Sequence, residues 1–210
     1  MSKKMFNIIS VAVCVILIIV NLLLMNLRLQ GNIYTITGTN DSLKVNYYKL
    51  ESNLESIENR LKAIESKWNK INNISEKISI LAPKINSNSK LKLAYYIYYY
   101  GEQYDNSELL EDIMISLPYV ESTYNKYALG KAGEIGYYQI HPIHINKEKL
   151  KMNIIYSEKY QVKKAYQILN EKFNVFSSMQ YAINGYNGWA SKNNPYYGKV
   201  VIQLKKIKSI

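Results

Sequence analysis

The first strong pattern is an apolar run. From Met5 to Leu27 the chain reads MFNIISVAVCVILIIVNLLLMNL with no charged side chain, longer than the roughly 20 residues a helix needs to cross a bilayer. The expectation is a transmembrane helix over 6–27 behind a short cytoplasmic tail, 1–5. A cleaved signal peptide shares the basic start at Lys3 and Lys4, but its apolar core runs about 7–15 residues and ends in a small-x-small site. The exit here, NLLLMNLRLQGN, has no such site, which favours an uncleaved anchor. Lys3 and Lys4 against Arg28 keep the amino end inside by the positive-inside bias, so the expected location is the cell membrane, single pass, with everything after Leu27 extracytoplasmic.

A polar stretch, Gln30 to Asp41, has no period and reads as the core of a linker over 28–42. The pattern then changes. Tyr47, Leu50, Leu54, Ile57, Leu61, Ile64, Trp68 and Ile71 recur at alternating steps of three and four, a heptad stripe on one long helix. Ile74 and Ile78 leave that register and Pro83 ends the run. A helix over 43–82 would reach on the order of 55 Å at 1.5 Å per residue, enough for a stalk. The stripe at 47–71 has two readings: a coiled coil that forms a homodimer or holds a partner helix, or an amphipathic helix folding back on its own domain.

A second polar boundary, Lys84 to Lys90, precedes the segment expected to form the globular unit, 90–210. Leu91, Ala94, Tyr95 and Ile97 follow helical spacing, as do Leu109, Leu110, Ile113, Met114 and Leu117, with a start signal at Asp105, Asn106 and Ser107. Pro118 predicts a kink or a fresh start within that second helix. Glu158 to Phe173 and Ser177 to Asn184 give two more helical windows before a polar turn at Ser191 to Pro195. Strand signals are few, and the fold class is mainly α.

The formal charge of +11 suits an anionic partner, but almost all of it is lysine, with Arg28 and Arg60 the only arginines. Abundant Lys, Asn, Ile and Tyr also follow from an AT-rich coding sequence. No Arg-rich stretch or zinc-finger spacing points to nucleic acid. Cys14 is the only cysteine, so no intramolecular disulfide and no cysteine-based metal site can form.

The chemistry concentrates between Glu121 and Pro142, ESTYNKYALGKAGEIGYYQIHP. Glu121-Ser122-Thr123-Tyr124-Asn125, then Ala128, Gly133, Gly136, Gln139, Ile140 and Pro142, resembles the soluble lytic transglycosylase family of peptidoglycan lyases, whose signature is Glu-Ser, an aromatic, an Ala and Gly-x-x-Gly-x-x-Gln-x-x-Pro. Gly185-Tyr186-Asn187-Gly188 is similar to that family's Ala-Tyr-Asn-Ala-Gly stretch. The resemblance covers about Lys90 to the end, and it implies a lysozyme-like helical domain that cuts the β-1,4 bond between N-acetylmuramic acid and N-acetylglucosamine without a cofactor or metal. It further implies Glu121 and Tyr186 as the catalytic pair, with Tyr186 orienting the carboxyl. Ser122, Gln139, Tyr138 and Asn187 fall at substrate-binding positions, and Gly133 and Gly136 form the structural turn. The implied chemistry starts with Glu121 as acid on the bridging oxygen; the resulting carboxylate then takes the proton of the muramoyl 6-hydroxyl, leaving a 1,6-anhydro sugar.

Three places depart from the family pattern: Gly130 where Ser is common, Gly133-Glu134 for Gly-Ala, and Tyr137-Tyr138 for Leu-Met. The two tyrosines fit either a sugar platform or the core. Glu134 offers a second carboxylate, which would suit a lysozyme-like hydrolase, or it is a solvated turn residue. Glu111 and Asp112 read as an exposed face. His141 and His144 straddle Pro142 without a third ligand, arguing against a metal site, and Ser122 has no histidine in a recognisable order for a nucleophile. A non-catalytic wall-binding scaffold remains the alternative outside enzymology.

Overall fold

This computed structural model describes residues 3–33, 40–104, 107–145 and 150–209. The fold is mainly α, and among the described residues the only β features are isolated bridges, Leu129 with Ile135 and Ile135 with Ile140. Residues 34–39 of the expected linker, and Asp105 and Asn106 of the expected helix start, lie outside the described residues. The chain divides into two compact units, Met1–Leu61 and Lys62–Ile210.

The first unit carries α1 (Lys3–Ile33) and the beginning of α2 (Asn40–Leu81). Residues 28–33 and 40–42, read from sequence as linker, are helical, because adding a residue to an existing helix gains one backbone hydrogen bond without a new nucleation cost. Val15, Ile16, Leu17, Leu23 and Leu24 are exposed on α1. Among the described residues no helix is long and apolar enough to cross a membrane. The side chains described on α1 are those at 11 and 14–29, so most of the first half of the expected 6–27 span falls outside that statement.

The second unit begins earlier than the sequence boundary at 90. Ile71, Ile74, Ile78 and Leu81, at the end of α2, are buried in the core of this unit. The step from Ile71 to Ile74 is three where the heptad stripe required four, which turns the apolar face off the stripe and onto the domain. The end of the expected stalk therefore packs into its own domain. Lys77 on α2 reaches 2.7 Å to Asp112 of α4 (Ser107–Ser122), a carboxylate only 3% exposed, and Lys208 of α8 (Tyr196–Lys208) lies 3.7 Å from its other oxygen. Asp112 is thus a buried ion-pair member, reached by Lys77 and Lys208, and Glu111 is half-buried beside Gly101 of α3 (Ser87–Gly101); neither is the exposed face expected from sequence.

Helix starts follow side-chain capping rules. Asn86 caps α3 (Ser87–Gly101), accepting from Asn88 N at 2.9 Å; Ser157 caps α6 (Glu158–Val175) and Ser178 caps α7 (Met179–Tyr186). A short 3₁₀ turn, Pro142–His144, and α5 (Met152–Ile155) lie between α4 and α6. Helix α3 packs on α4 and α6, α7 on α6 and α8, and α4 on α8. These contacts bring the end of α4 beside the α7–α8 connection.

Pro118 neither kinks α4 to a stop nor restarts it; the helix continues to Ser122. Its missing N–H frees the carbonyl of Met114, and the Tyr138 hydroxyl donates to that carbonyl at 3.0 Å. One turn on, the Pro118 carbonyl accepts from Tyr124 N at 3.0 Å.

Candidate active site

Glu121 stands in the last turn of α4, and the backbone turns over immediately after it. Thr123 and Tyr124 both adopt left-handed conformations, φ 52° and 60°, which cost non-glycine residues of order 1–3 kcal/mol each and persist where surrounding contacts hold them. The holding contacts are visible: Ser122 Oγ donates to the Tyr137 carbonyl at 2.9 Å, and the buried Tyr124 hydroxyl donates to the Ile115 carbonyl at 2.5 Å. Ser122 therefore ties α4 to the following loop through backbone carbonyls.

The Glu121 carboxyl is half-buried. Burial pushes its pKa up to about 7; a hydrogen bond from the Tyr196 hydroxyl to Oε1 pulls it down, the negative charge of Glu134 pushes it up, and Lys199 pulls it down. Desolvation wins because the charged form loses hydration that one phenol cannot replace. The outcome is an acid half protonated near neutrality, the range in which one group can both give and take a proton.

Tyr196 is the residue that sequence reasoning missed. It opens α8, and two asparagines fix that helix start: Asn194 Oδ1 accepts from Tyr196 N at 3.0 Å, and buried Asn184 Oδ1 accepts from Tyr197 N at 2.8 Å while its amide donates to the Ser191 carbonyl at 2.7 Å. Tyr186, expected to orient Glu121, donates instead to the Tyr138 carbonyl at 3.0 Å. A hydroxyl has one proton to donate, so that bond commits it elsewhere, although burial and then the Glu121 charge raise its pKa. Nothing local distinguishes Tyr196 from Tyr197; the only sequence signal was a tyrosine pair at a helix start just after the 191–195 turn.

Tyr138 is fully buried, with its hydroxyl spent on Met114, and Tyr137 is 2% exposed. The Tyr138 side chain sits in the core, where it satisfies the buried carbonyl that Pro118 left open. Gln139 folds back on its own turn, φ 45°, its amide donating to the Gly136 carbonyl at 3.0 Å. Asn187 is exposed at the end of α7. Gly133 and Gly136 have φ of 88° and 75°, and a Cβ on Gly136 would lie 2.7 Å from the buried Gln161 side chain. Residues 128–140 close on themselves through Gly136 N to Ala128 O at 2.8 Å and Gly130 N to Glu134 O at 2.7 Å. His141 Nδ1 accepts from Ile143 N at 3.2 Å, capping the 3₁₀ turn, and among the described residues no group of three or more His, Cys, Asp or Glu could hold a metal.

The profile of the transglycosylase SLT domain matches residues 98–206, which span α4, the glycine turn and both tyrosine-bearing helix ends. The chain belongs to the transglycosylase SLT domain family. Membership makes it a transglycosylase-type enzyme with peptidoglycan as substrate, and its helical architecture agrees with a lysozyme-like SLT domain. No curated protein and no solved structure gives a significant match.

Two departures from the family pattern explain one another. A Cβ on Gly130 would sit 2.2 Å from Glu134 Oε2 and 2.8 Å from Gln139 Oε1. Position 130 is glycine because position 134 is glutamate: the carboxylate, held by Ala132 N at 3.0 Å, fills the space that a serine side chain would need.

Proposed function

We propose that the chain is a membrane-anchored peptidoglycan lytic transglycosylase, held by the 6–27 helix with its catalytic domain extracytoplasmic, for wall remodelling or local wall opening. The observation that carries this reading is the half-buried carboxyl of Glu121, in the Glu-Ser motif of the segment matched by the SLT family, which accepts a hydrogen bond from the Tyr196 hydroxyl and has its pKa pushed up to about 7.

Protonated Glu121 gives its proton to the oxygen bridging N-acetylmuramic acid and N-acetylglucosamine as the bond from that oxygen to C1 breaks. The carboxylate then accepts the proton of the muramoyl 6-hydroxyl, whose oxygen bonds to C1. Glu121 ends protonated, no water is consumed, and the product is a 1,6-anhydro sugar. General acid–base work of this kind contributes about 10²–10⁴ in rate, and an internal nucleophile removes the need to bring in a second reactant.

The proximity of Glu134 supports a second reading, a lysozyme-like hydrolase in which that carboxylate activates water. Muropeptide mass spectrometry separates the two. Anhydro ends support the lyase, and reducing ends in their place overturn it. Glu121→Gln should remove the clearing band in peptidoglycan zymography; a variant that still clears would place the acid elsewhere, and an unaltered chain that gives no band would favour the wall-binding scaffold.

The anchor is supported by the uncharged run from Met5 to Leu27 and by exposed apolar side chains on α1. Fractionation with alkaline carbonate washing tests it: release of the full chain into the supernatant overturns it. The apolar stripe from Tyr47 to Trp68, short of the buried Ile71, pairs this helix with another.

A further inference from the structure

No residue of the a/d stripe on α2 is buried before Ile71: Leu50, Ile57 and Leu61 are partly covered and the other four are exposed. Tyr47 and Ile64 are 62% and 61% exposed, Leu54 and Trp68 are each 39% exposed, and only from Ile71 does the domain core take over the apolar face. A soluble helix with a continuous exposed apolar stripe needs another surface to cover it.

The residues flanking the stripe say what that surface is. With Tyr47, Leu54, Leu61 and Trp68 at a and Leu50, Ile57 and Ile64 at d, the e column is Glu51, Glu58 and Glu65, and the g column is Asn46, Asn53, Arg60 and Lys67. One flank is wholly acidic and the other neutral to basic. In parallel strands each g residue meets the e residue five positions on in its neighbour, which sets Arg60 against Glu65 and Asn53 against Glu58. In antiparallel strands e meets e and g meets g. That would place Glu51 opposite Glu65, Glu58 opposite Glu58 and Arg60 opposite Arg60, all like charges. The helix is therefore complementary to itself in one direction only. Leucine at a with isoleucine at d, the pattern of Leu54, Ile57, Leu61 and Ile64, shifts parallel coiled coils from two strands to three or four.

We propose that α2 assembles with further copies of this chain into a parallel, in-register bundle of three or four helices over residues 47–68. This rests on the pairing role given to the stripe and not on the chemistry at Glu121. A common membrane would reinforce it, because chains anchored by the same end are held parallel and at raised local concentration.

The test uses the full chain in non-ionic detergent, in a Cys14→Ser background. Sedimentation should return three or four times the monomer mass. Single cysteines at stripe positions, Leu54→Cys and Ile64→Cys, should each link to themselves with a short bismaleimide, while Ser52→Cys on the opposite face should not. Arg60→Glu, which sets like charges at every Arg60 contact, should weaken assembly on the order of tenfold, and adding Glu65→Lys should recover it. A monomer or dimer by sedimentation overturns the proposal. So does a mixture of Leu50→Cys and Trp68→Cys chains that links in preference to the like pairs, which is the antiparallel result. Glu121→Gln should assemble as the unaltered chain does, so loss of the catalytic reading and loss of this one are separately visible.

Discussion

The Tyr196 hydroxyl donates to Glu121 Oε1 across 75 positions of sequence, whereas Tyr186, from the expected motif, donates to the Tyr138 carbonyl. The two phenols should behave differently on removal. The Tyr196 bond stabilises the carboxylate, so Tyr196→Phe raises the Glu121 pKa above about 7 and moves the alkaline limb of the pH–rate profile up by about one unit. Tyr186→Phe leaves the limb in place and instead costs about 1–3 kcal/mol of stability, by orphaning the Tyr138 carbonyl. Turbidity assays on purified peptidoglycan across pH, with denaturant melts, read both. A limb that moves with Tyr186→Phe and not with Tyr196→Phe would reverse the assignment.

Glu121 also ties stability to pH. Its folded pKa of about 7 lies above the ordinary 4.5, so the folded state holds the proton more tightly and the site is least costly below pH 4.5. That advantage is lost as pH rises through 7. Glu121→Gln does not titrate, so its stability relative to the unaltered chain should climb between these pH values and level off at up to about 3 kcal/mol. Urea melts at pH 5 and pH 8 measure this, and a pH-independent difference would show that burial does not set the pKa.

Gly130 and Glu134 form a second coupled pair. Gly130→Ser drives a Cβ into the Glu134 carboxylate and should cost about 1–3 kcal/mol, the usual range for overpacking. Glu134→Ala should recover most of that loss in the double variant, giving a large coupling in a double-mutant cycle. Glu134→Ala alone removes a like charge and should shift the alkaline limb to lower pH.

A chain begun at Lys90 loses Ile71, Ile74, Ile78 and Leu81 from the core and Lys77 from the buried Asp112. Burial of each aliphatic side chain contributes about 1.5–3 kcal/mol, against a total stability of about 5–15 kcal/mol, and the buried Asp112 is left with only the longer contact to Lys208. It should express as an unfolded or aggregated species, while a chain begun at Lys62 should melt cooperatively by circular dichroism.

Local chemistry was legible wherever residues close in sequence do the work. Gly133 and Gly136, read as the structural turn, sit at positive φ because a tight turn demands it. The change from an exposed stripe to a buried face at Ile71 is written in a single three-for-four step. Tyr138 was harder: its neighbours suit a sugar platform as well as a core, and the choice was made by a carbonyl that Pro118 left open twenty residues earlier.

The sequence by itself determined the helical class and the glycine turn behind Glu121, because periodicity and turn preferences act over a few residues. Only the tertiary structure decided which tyrosine serves that acid, that Asp112 is buried against Lys77, and that the end of α2 belongs to the domain. Each of these depends on which distant side chain occupies a neighbouring volume, and volume is settled by packing, not by spacing along the chain.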